Sequence, residues 1–505
     1  MKIKKIFLYC CLFAVLFCSC ELLIEIGDIL NGGDSGGDDS GTINNPTDVP
    51  PRKFYALNIE KNTYYPLDAD LLAESKNCRV WAEKGKNVTK SLANSMAKAY
   101  EEKILPKMLD TFSSNKPITN NGVVIANNTV ELAGWLADED GDRKLTILLL
   151  DIQDGYKPGS GYVAGYFWAG NFYGNNPSHP QFKYSNECSM IYVDTNPATP
   201  GSDDSNSTVA HELQHLMSFA NYFISGKKST LDTWVDEGLS SAAEWLYFGK
   251  QVDERVNWYN RDPSGLIQKG NNFFVWDNRE KEKQNAILDE YATVYLFFQW
   301  LRLQSGSNDI YRKITLSDYY DHLAVTSAAN EAMKGNGYDD WGTLLKTWLA
   351  ANYINAPSGP YGYMNDSVLK NISVKTAPKS TSISLYPGEG VYSITNDYKL
   401  PGNKQNIRYA GLDKSGKVSD TETFSGGALL TYNVNTDNVK GKTESGITTG
   451  IAASVEEDVP GRSVAGPDFS GLFAISVEDM LRRNGFDRTS SFEFTKPIKG
   501  ITVIE

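Results

Sequence analysis

Histidine is scarce in this chain, with four in 505 residues. A protein so poor in imidazole draws the eye to His211 and His215, two of the four, set four positions apart. Basic charge is also in short supply. Lysine and arginine number 49 against 62 acids, for a formal charge of −13, and no basic stripe runs along any segment. That balance argues against nucleic acid and against anionic lipid surfaces as partners. Beyond Cys20 no apolar run reaches the length of a membrane span, so the body reads as soluble. Cysteine is nearly missing from that body: of six, only Cys78 and Cys188 lie beyond Cys20. Two cysteines could pair in an oxidising exterior, but they do not make a disulfide framework.

What is present begins at the N-terminus. Met1-Lys2-Ile3-Lys4-Lys5 is a basic leader, and Ile6 to Phe17 is an apolar stretch too short to span a bilayer. It runs into Phe17-Cys18-Ser19-Cys20, which resembles the lipobox of bacterial lipoproteins. The resemblance implies cleavage before Cys20 and lipid on that cysteine. Cys20 follows the small Ser19 and is preferred to Cys18, which follows the bulky Phe17; a plain secretory signal is the lesser alternative. Loss of Lys2, Lys4 and Lys5 with the leader takes the charge from −13 to −16. The expected organisation is a signal peptide over 1–19, then an acidic Gly-, Ser- and Asp-rich linker over 20–52 that cannot bury apolar surface. The expected location is the bacterial cell envelope, at the surface or in the periplasm, with membrane contact through the lipid only.

His211-Glu212-Leu213-Gln214-His215 carries the chemistry. On a helix, histidines four apart share one face, so both imidazoles can meet one metal ion, and Zn²⁺ is the ion such sites usually take. Glu212 lies roughly 100° round the helix, placed to reach a metal-bound water rather than the metal. A zinc-bound water has a pKa of about 7, and a nearby carboxylate can take its proton. Ser205-Asn206-Ser207-Thr208 offers N-cap candidates, and Val209, Ala210, Leu213, Leu216, Met217 and Phe219 supply an apolar face.

A third ligand follows in Trp234-Val235-Asp236-Glu237-Gly238-Leu239-Ser240. The breaker run Ser225 to Thr230 should end the first helix, and a second should run from about Asp232 to Phe248, stopped by Gly249. Two antiparallel helices so joined can bring Glu237 beside both histidines. Three protein ligands leave one tetrahedral position for water, the mark of a catalytic zinc. The bland reading of Glu237 is a solvated helix carboxylate, but its neighbours Trp234, Val235, Leu239 and Ala242 are apolar.

These segments resemble the gluzincin metallopeptidases, and among them the hyicolysin-type peptidases. The likeness takes in Thr208 to His215, Trp234 to Ser240, Tyr291 to Phe297, and Ala137 to Asp142 leading into Leu145 to Leu150. It implies one catalytic zinc held by His211, His215 and Glu237, Glu212 as general base, and a protein or peptide substrate. It also implies a sheet edge beside the zinc helix to receive extended substrate, with Leu145–Ile152 or Met190–Asp194 as the strand. Many gluzincins carry an Asp four residues after the ligand glutamate; here Ser241 stands there, leaving Ser241, Asp236 and Glu244 as candidates to orient the histidines. Tyr291 is either an oxyanion donor, as the resemblance suggests, or a core aromatic.

The remaining candidates carry less. His322 reads as a surface histidine and His179 as a loop residue. Asp138, Asp140 and Asp142 imitate the opening of a calcium loop, but Gly141 is misplaced and Leu149 replaces the bidentate Glu, so Ca²⁺ is the lesser reading there. The fold class expected is α+β: a gluzincin-like metalloprotease unit over 53–356, with a mixed sheet and zinc-binding helices. Within it, 87–112 should be helical, 145–152 and 190–194 strands, and 284–355 helical. From 357 to 505 short Gly-, Ser- and Thr-rich strands suggest a β-sandwich-like domain with no histidine or cysteine. The function expected is a surface zinc metalloendopeptidase. The alternatives are a lipoprotein that keeps the zinc fold as a binding module, and a zinc hydrolase of a non-protein amide.

Overall fold

Three strands that the sequence pattern did not bring out open the fold: β1 (Arg52–Asn58), β2 (Thr63–Glu74) and β3 (Cys78–Glu83), paired antiparallel in turn. In β2 the buried alternation of Leu67, Ala69, Leu71 and Ala73 is disguised by alanine and by the acids between. The computed structural model describes residues 42–113, 123–125, 128–130, 144–158, 162–172, 182–224, 231–270, 273–276, 287–376, 385–394, 397–402, 406–421 and 423–436. Cys20, the leader, the linker up to residue 41, His179 and the Asp138–Asp142 run lie outside the described residues.

The helix expected over 87–112 is one run with a wide turn inside it. α1 (Lys90–Ala99) starts at a Thr89 cap whose hydroxyl accepts from the Leu92 amide. A π-helical turn, Tyr100–Ile104, leads into α2 (Leu105–Phe112). A small hairpin follows, β4 (Val123–Ile125) with β5 (Asn128–Val130). Then β6 (Leu145–Leu150), β7 (Gly165–Phe167) and β8 (Met190–Asp194) complete a six-stranded sheet of order β1-β2-β3-β6-β8-β7.

The sheet is mixed: β3, β6 and β8 run parallel, and the other pairings are antiparallel. Every residue of β6 is buried, because Leu145, Ile147 and Leu149 face the helices while Leu148 and Leu150 face the other way. Covering on both faces is what permits its unbroken apolar run. The β1–β2 hairpin folds over the second face, where the Leu57 amide donates to the Tyr166 hydroxyl at 3.1 Å and the Tyr192 hydroxyl donates to the Tyr55 carbonyl at 3.1 Å. β6 stops two residues before the expected end, as the Ile152 amide turns to the Asp194 carboxylate at 3.0 Å. Neither strand expected at the sheet edge is there. β6 and β8 are internal, and the edge is the short antiparallel β7.

On the other face α1 lies against β2 and β3, and α3 (Asp203–Ile224) lies against β7 and β8. Six further helices build outward from α3, namely α4 (Thr233–Phe248), α5 (Asp253–Arg261), α6 (Ile287–Ser305), α7 (Asp309–Thr315), α8 (His322–Ala332) and α9 (Trp341–Ile354). From Ile287 to Leu301 every residue of α6 is buried, as expected of a helix surrounded by others. α4 reaches α6 closely because Gly238 has no side chain; a Cβ there would stand 2.2 Å from the Phe298 ring.

Beyond α9 lie β9 (Gly390–Ile394), β10 (Asp397–Lys399), β11 (Ile407–Leu412), β12 (Val418–Ser419), β13 (Thr423–Ser425) and β14 (Ala428–Asn433). β10 pairs with β13, and the rest form an antiparallel sheet of order β12-β11-β14-β9. Tyr392, Ala410, Leu412, Leu430 and Tyr432 on one face join the main helical core, and the Tyr392 hydroxyl donates to the Leu349 carbonyl at 2.8 Å. The change from helices to strands after residue 356 is therefore a seam within shared packing. A sandwich beyond this sheet would fall on residues outside the described set. Cys78 and Cys188 are both buried, in core clusters on opposite faces of the main sheet, so they do not form a disulfide with each other. Among the described residues, no helix is long and apolar enough to cross a membrane.

Candidate metal centre

The site is built at the contact of α3 and α4. α3 begins earlier than expected: Ser202 caps it by accepting from the Ser205 amide at 3.2 Å, and Asp203 and Asp204 occupy its positive first turn. The residues read as caps, Ser205 to Thr208, are already inside the helix. That extra turn places His211 and His215 near mid-helix, buried, with ring centroids 4.9 Å apart. α4 starts at Asp232, whose amide donates to the Tyr320 carbonyl at 2.7 Å, and ends at Gly249 with a positive φ of 66°. Trp234 pins its first turn among Phe273, Phe274, Phe297, Phe298 and Trp341. The helices run antiparallel, since His211 meets Glu244 while His215 meets Asp236.

Three groups converge there. One ligand atom each from His211, His215 and Glu237 lies within 4.8 Å of the others. Glu237 Oε2 is 3.4 Å from His211 Nε2 and 3.6 Å from His215 Nε2. All three atoms are buried without a hydrogen-bond partner of good geometry. Donors about 2.0–2.1 Å from a tetrahedral zinc stand roughly 3.3–3.4 Å apart. The observed spacing fits that ion, and a shared metal accounts for three orphaned polar atoms that would otherwise cost about 1–3 kcal/mol each.

The other face of each imidazole is held. Of the three candidates to orient the histidines, two do so: His211 Nδ1 meets Glu244 Oε1 at 2.7 Å, and His215 Nδ1 meets Asp236 Oδ2 at 2.8 Å. Ser241 does not; its hydroxyl is buried without a partner. The longer glutamate one turn further on takes the place of the aspartate that the resemblance led one to seek at 241. Behind it stands Arg255 from α5, whose Nη2 donates to Glu244 Oε1 at 2.6 Å. Sequence reasoning missed Arg255, because an arginine on a short polar helix reads as a surface residue until the fold buries it.

Glu212 is fully buried, and neither carboxylate oxygen has a hydrogen-bond partner of good geometry, the Phe167 backbone being only a weak neighbour. Burial pushes its carboxyl up to about 7, against the pull of the two histidines and the Phe167 backbone. The edge strand comes this close because Gly165 is bare: a Cβ there would stand 2.6 Å from Thr208 Cγ2 and 3.3 Å from Glu212 Cγ. Tyr291 is also brought in, wholly buried, its ring centroid 6.4 Å from that of His211. His322 is not. It opens α8 beside Phe274 and Trp341, outside the cluster.

No family model matches the chain. Over 364 residues it is 27% identical to the neutral metalloprotease ShpI of Staphylococcus hyicus, a match covering 70% of this chain and 74% of that protein. This chain is a zinc metallopeptidase. The match covers far more of the chain than a five-residue motif, and the buried cluster of His211, His215 and Glu237 could hold a metal ion.

The electrostatics give a pH signature. Burial opposes a charged His211, but the Glu237 and Glu244 carboxylates outweigh it and hold the ring up at about 9. Unfolded, it titrates near 6.5. The stability it contributes to the metal-free protein is complete below about pH 6.5 and is lost as pH rises through about 9. A thermal melt series on metal-free protein should show the midpoint falling across that interval, and His211→Ala should flatten the fall. A midpoint that climbs from pH 6.5 to 9 contradicts this electrostatic account.

Proposed function

We propose that this protein is a zinc-dependent metalloendopeptidase of the hyicolysin-type gluzincin group, tethered to the bacterial cell envelope by lipid on Cys20. The observation that carries the reading is the convergence of three orphaned ligand atoms near a buried carboxylate that has no hydrogen-bond partner of good geometry. Held by His211, His215 and Glu237, zinc would supply Lewis acidity, polarising the scissile carbonyl and acidifying a water.

Glu212 is the proton carrier. Its carboxyl, lifted to about 7, lies nearer neutrality than an ordinary glutamate and can accept a proton from the attacking water and pass it to the leaving amine. Glu244 and Asp236 hold the two Nδ1 atoms, so that both Nε2 atoms face the cluster. A binding module has no use for a base beside the metal, which favours the enzyme over an adhesion lipoprotein. β7 is the proposed edge for extended substrate, since β6 and β8 lie inside the sheet.

The deciding experiment separates ligand from base. Replacement of His211, His215 or Glu237 by Ala should abolish the single zinc found by elemental analysis. Glu212→Gln should keep zinc and fold and lose peptide cleavage by about 10²–10⁴-fold. Near-normal turnover in Glu212→Gln removes the mechanism.

Tyr291 retains both of its roles. As an oxyanion donor it would contribute about 3 kcal/mol to the transition state. Its complete burial, with the Arg255 guanidinium 4.8 Å over the ring and Trp276 at 5.0 Å, favours packing against His211. Tyr291→Phe decides: an oxyanion donor costs about 10²-fold in kcat at unchanged zinc content, and a packing residue leaves kcat near wild type.

The anchor is tested separately. Two or more acyl chains on Cys20 give stable attachment, each buried CH₂ contributing about 0.8 kcal/mol. Mass spectrometry should find a diacylated or triacylated Cys20 at the mature terminus, and Cys20→Ser should release the protein from the detergent phase. An unmodified terminus refutes the anchor, lipid on Cys18 refutes its assignment to Cys20, and either leaves the peptidase reading untouched.

A further inference from the structure

We propose that Arg255 is a positioning residue of this metal centre, acting on His211 through Glu244. The inference rests on the metal-binding reading of His211, His215 and Glu237 and adds a residue outside the motif helices. Arg255 comes from α5 and is fully buried. Its Nη2 donates to Glu244 Oε1 at 2.6 Å, and its Nε reaches Oε2 at 3.4 Å, so the guanidinium fork spans both carboxylate oxygens. The same Oε1 lies 2.7 Å from His211 Nδ1. The opposite nitrogen of that ring, Nε2, faces Glu237 Oε2 at 3.4 Å. A chain of contacts thus runs from α5 through α4 to α3 and ends at a candidate ligand atom.

Each link has a physical reason. A buried glutamate held only by an imidazole could rotate about its last torsion, which is broad. A two-point guanidinium contact removes that freedom, which a lysine ammonium, as a single point of charge, cannot do. Fixing Oε1 fixes the proton on Nδ1, and with it the direction in which Nε2 points. The guanidinium is itself fixed from a third side, with Cζ 4.8 Å over the Tyr291 ring. Arg255 also offsets the Glu244 charge, and that role alone would make it only structural. The two roles differ in what they do to metal affinity.

The test is a double-mutant cycle on zinc affinity, measured by chelator competition on the folded full chain: wild type, Arg255→Met, Glu244→Gln and the double variant. If Arg255 acts through Glu244, each single change weakens zinc binding by about 10–100-fold. The double variant is then no more than about threefold weaker than the worse single, because both changes break one chain of contacts. Arg255→Lys should recover part of the loss. Cobalt-substituted Arg255→Met should show altered visible bands, since the His211 donor is misaimed. Wild-type zinc affinity and unchanged cobalt bands in Arg255→Met overturn the proposal, as do losses that multiply in the double variant. If Arg255→Met does not fold, the same cycle is run with Arg255→Lys, where additive losses are equally fatal. A wild-type protein that binds no zinc instead sinks the metal reading itself, which is a different and separable outcome.

Discussion

The centre of this molecule depends on burying ionisable groups together. Glu212, Glu237, Glu244, His211 and Arg255 are all at most 5% exposed, within one seam between helices. An isolated buried charge is costly, and removing one partner from a buried pair typically destabilises by about 3–5 kcal/mol. The seam tolerates them because they alternate: Arg255 beside Glu244, Glu244 beside His211, His211 and His215 flanking Glu237, and Asp236 behind His215. Glu212 alone stands outside the alternation, and its raised carboxyl pKa is the consequence. A metallopeptidase has a use for such a group, because a base poised near neutrality can both take and return a proton.

That seam requires close contacts, and small residues permit them. Gly238, next to a candidate ligand, lets α6 reach α4, and Gly165 lets the edge strand reach α3 beside Glu212. The aromatic cluster around Trp234 fixes the start of α4, one turn from Glu237. On the far side, the α5 helix that delivers Arg255 is tied to α6, where the Trp258 indole donates to Asp289 at 2.6 Å. The C-terminal sheet packs into the same helical core through Tyr392 and Leu430 without bringing any histidine or cysteine.

Much of this was legible in the chain itself. The four-residue spacing of His211 and His215, the acid between them and Glu237 on the next apolar helix point to a group able to hold a metal ion, because helical periodicity is local and needs no knowledge of the fold. The end of α4 at Gly249 and the strand at Met190–Asp194 were readable for the same reason. The cap of α3 was misplaced by several residues, since Ser202 looks no different from the Ser205–Thr208 run that follows it.

Tertiary structure alone decided the rest. Which carboxylate orients which histidine depends on the register of two antiparallel helices, which put Glu244 and Asp236 in reach and left Ser241 without a partner. Arg255 became part of the centre only because α5 packs against its back, burying a side chain that the sequence presents as ordinary surface charge. The sheet edge passed to β7, three residues long and too short for any alternation to announce it. The separation of Cys78 from Cys188 followed from the pleat and the chain path, which place them on opposite faces of one sheet. The sequence by itself determined the reactive groups, because their identity and spacing are local. Packing determined how they are aimed and charged, because orientation and burial arise only when distant segments meet.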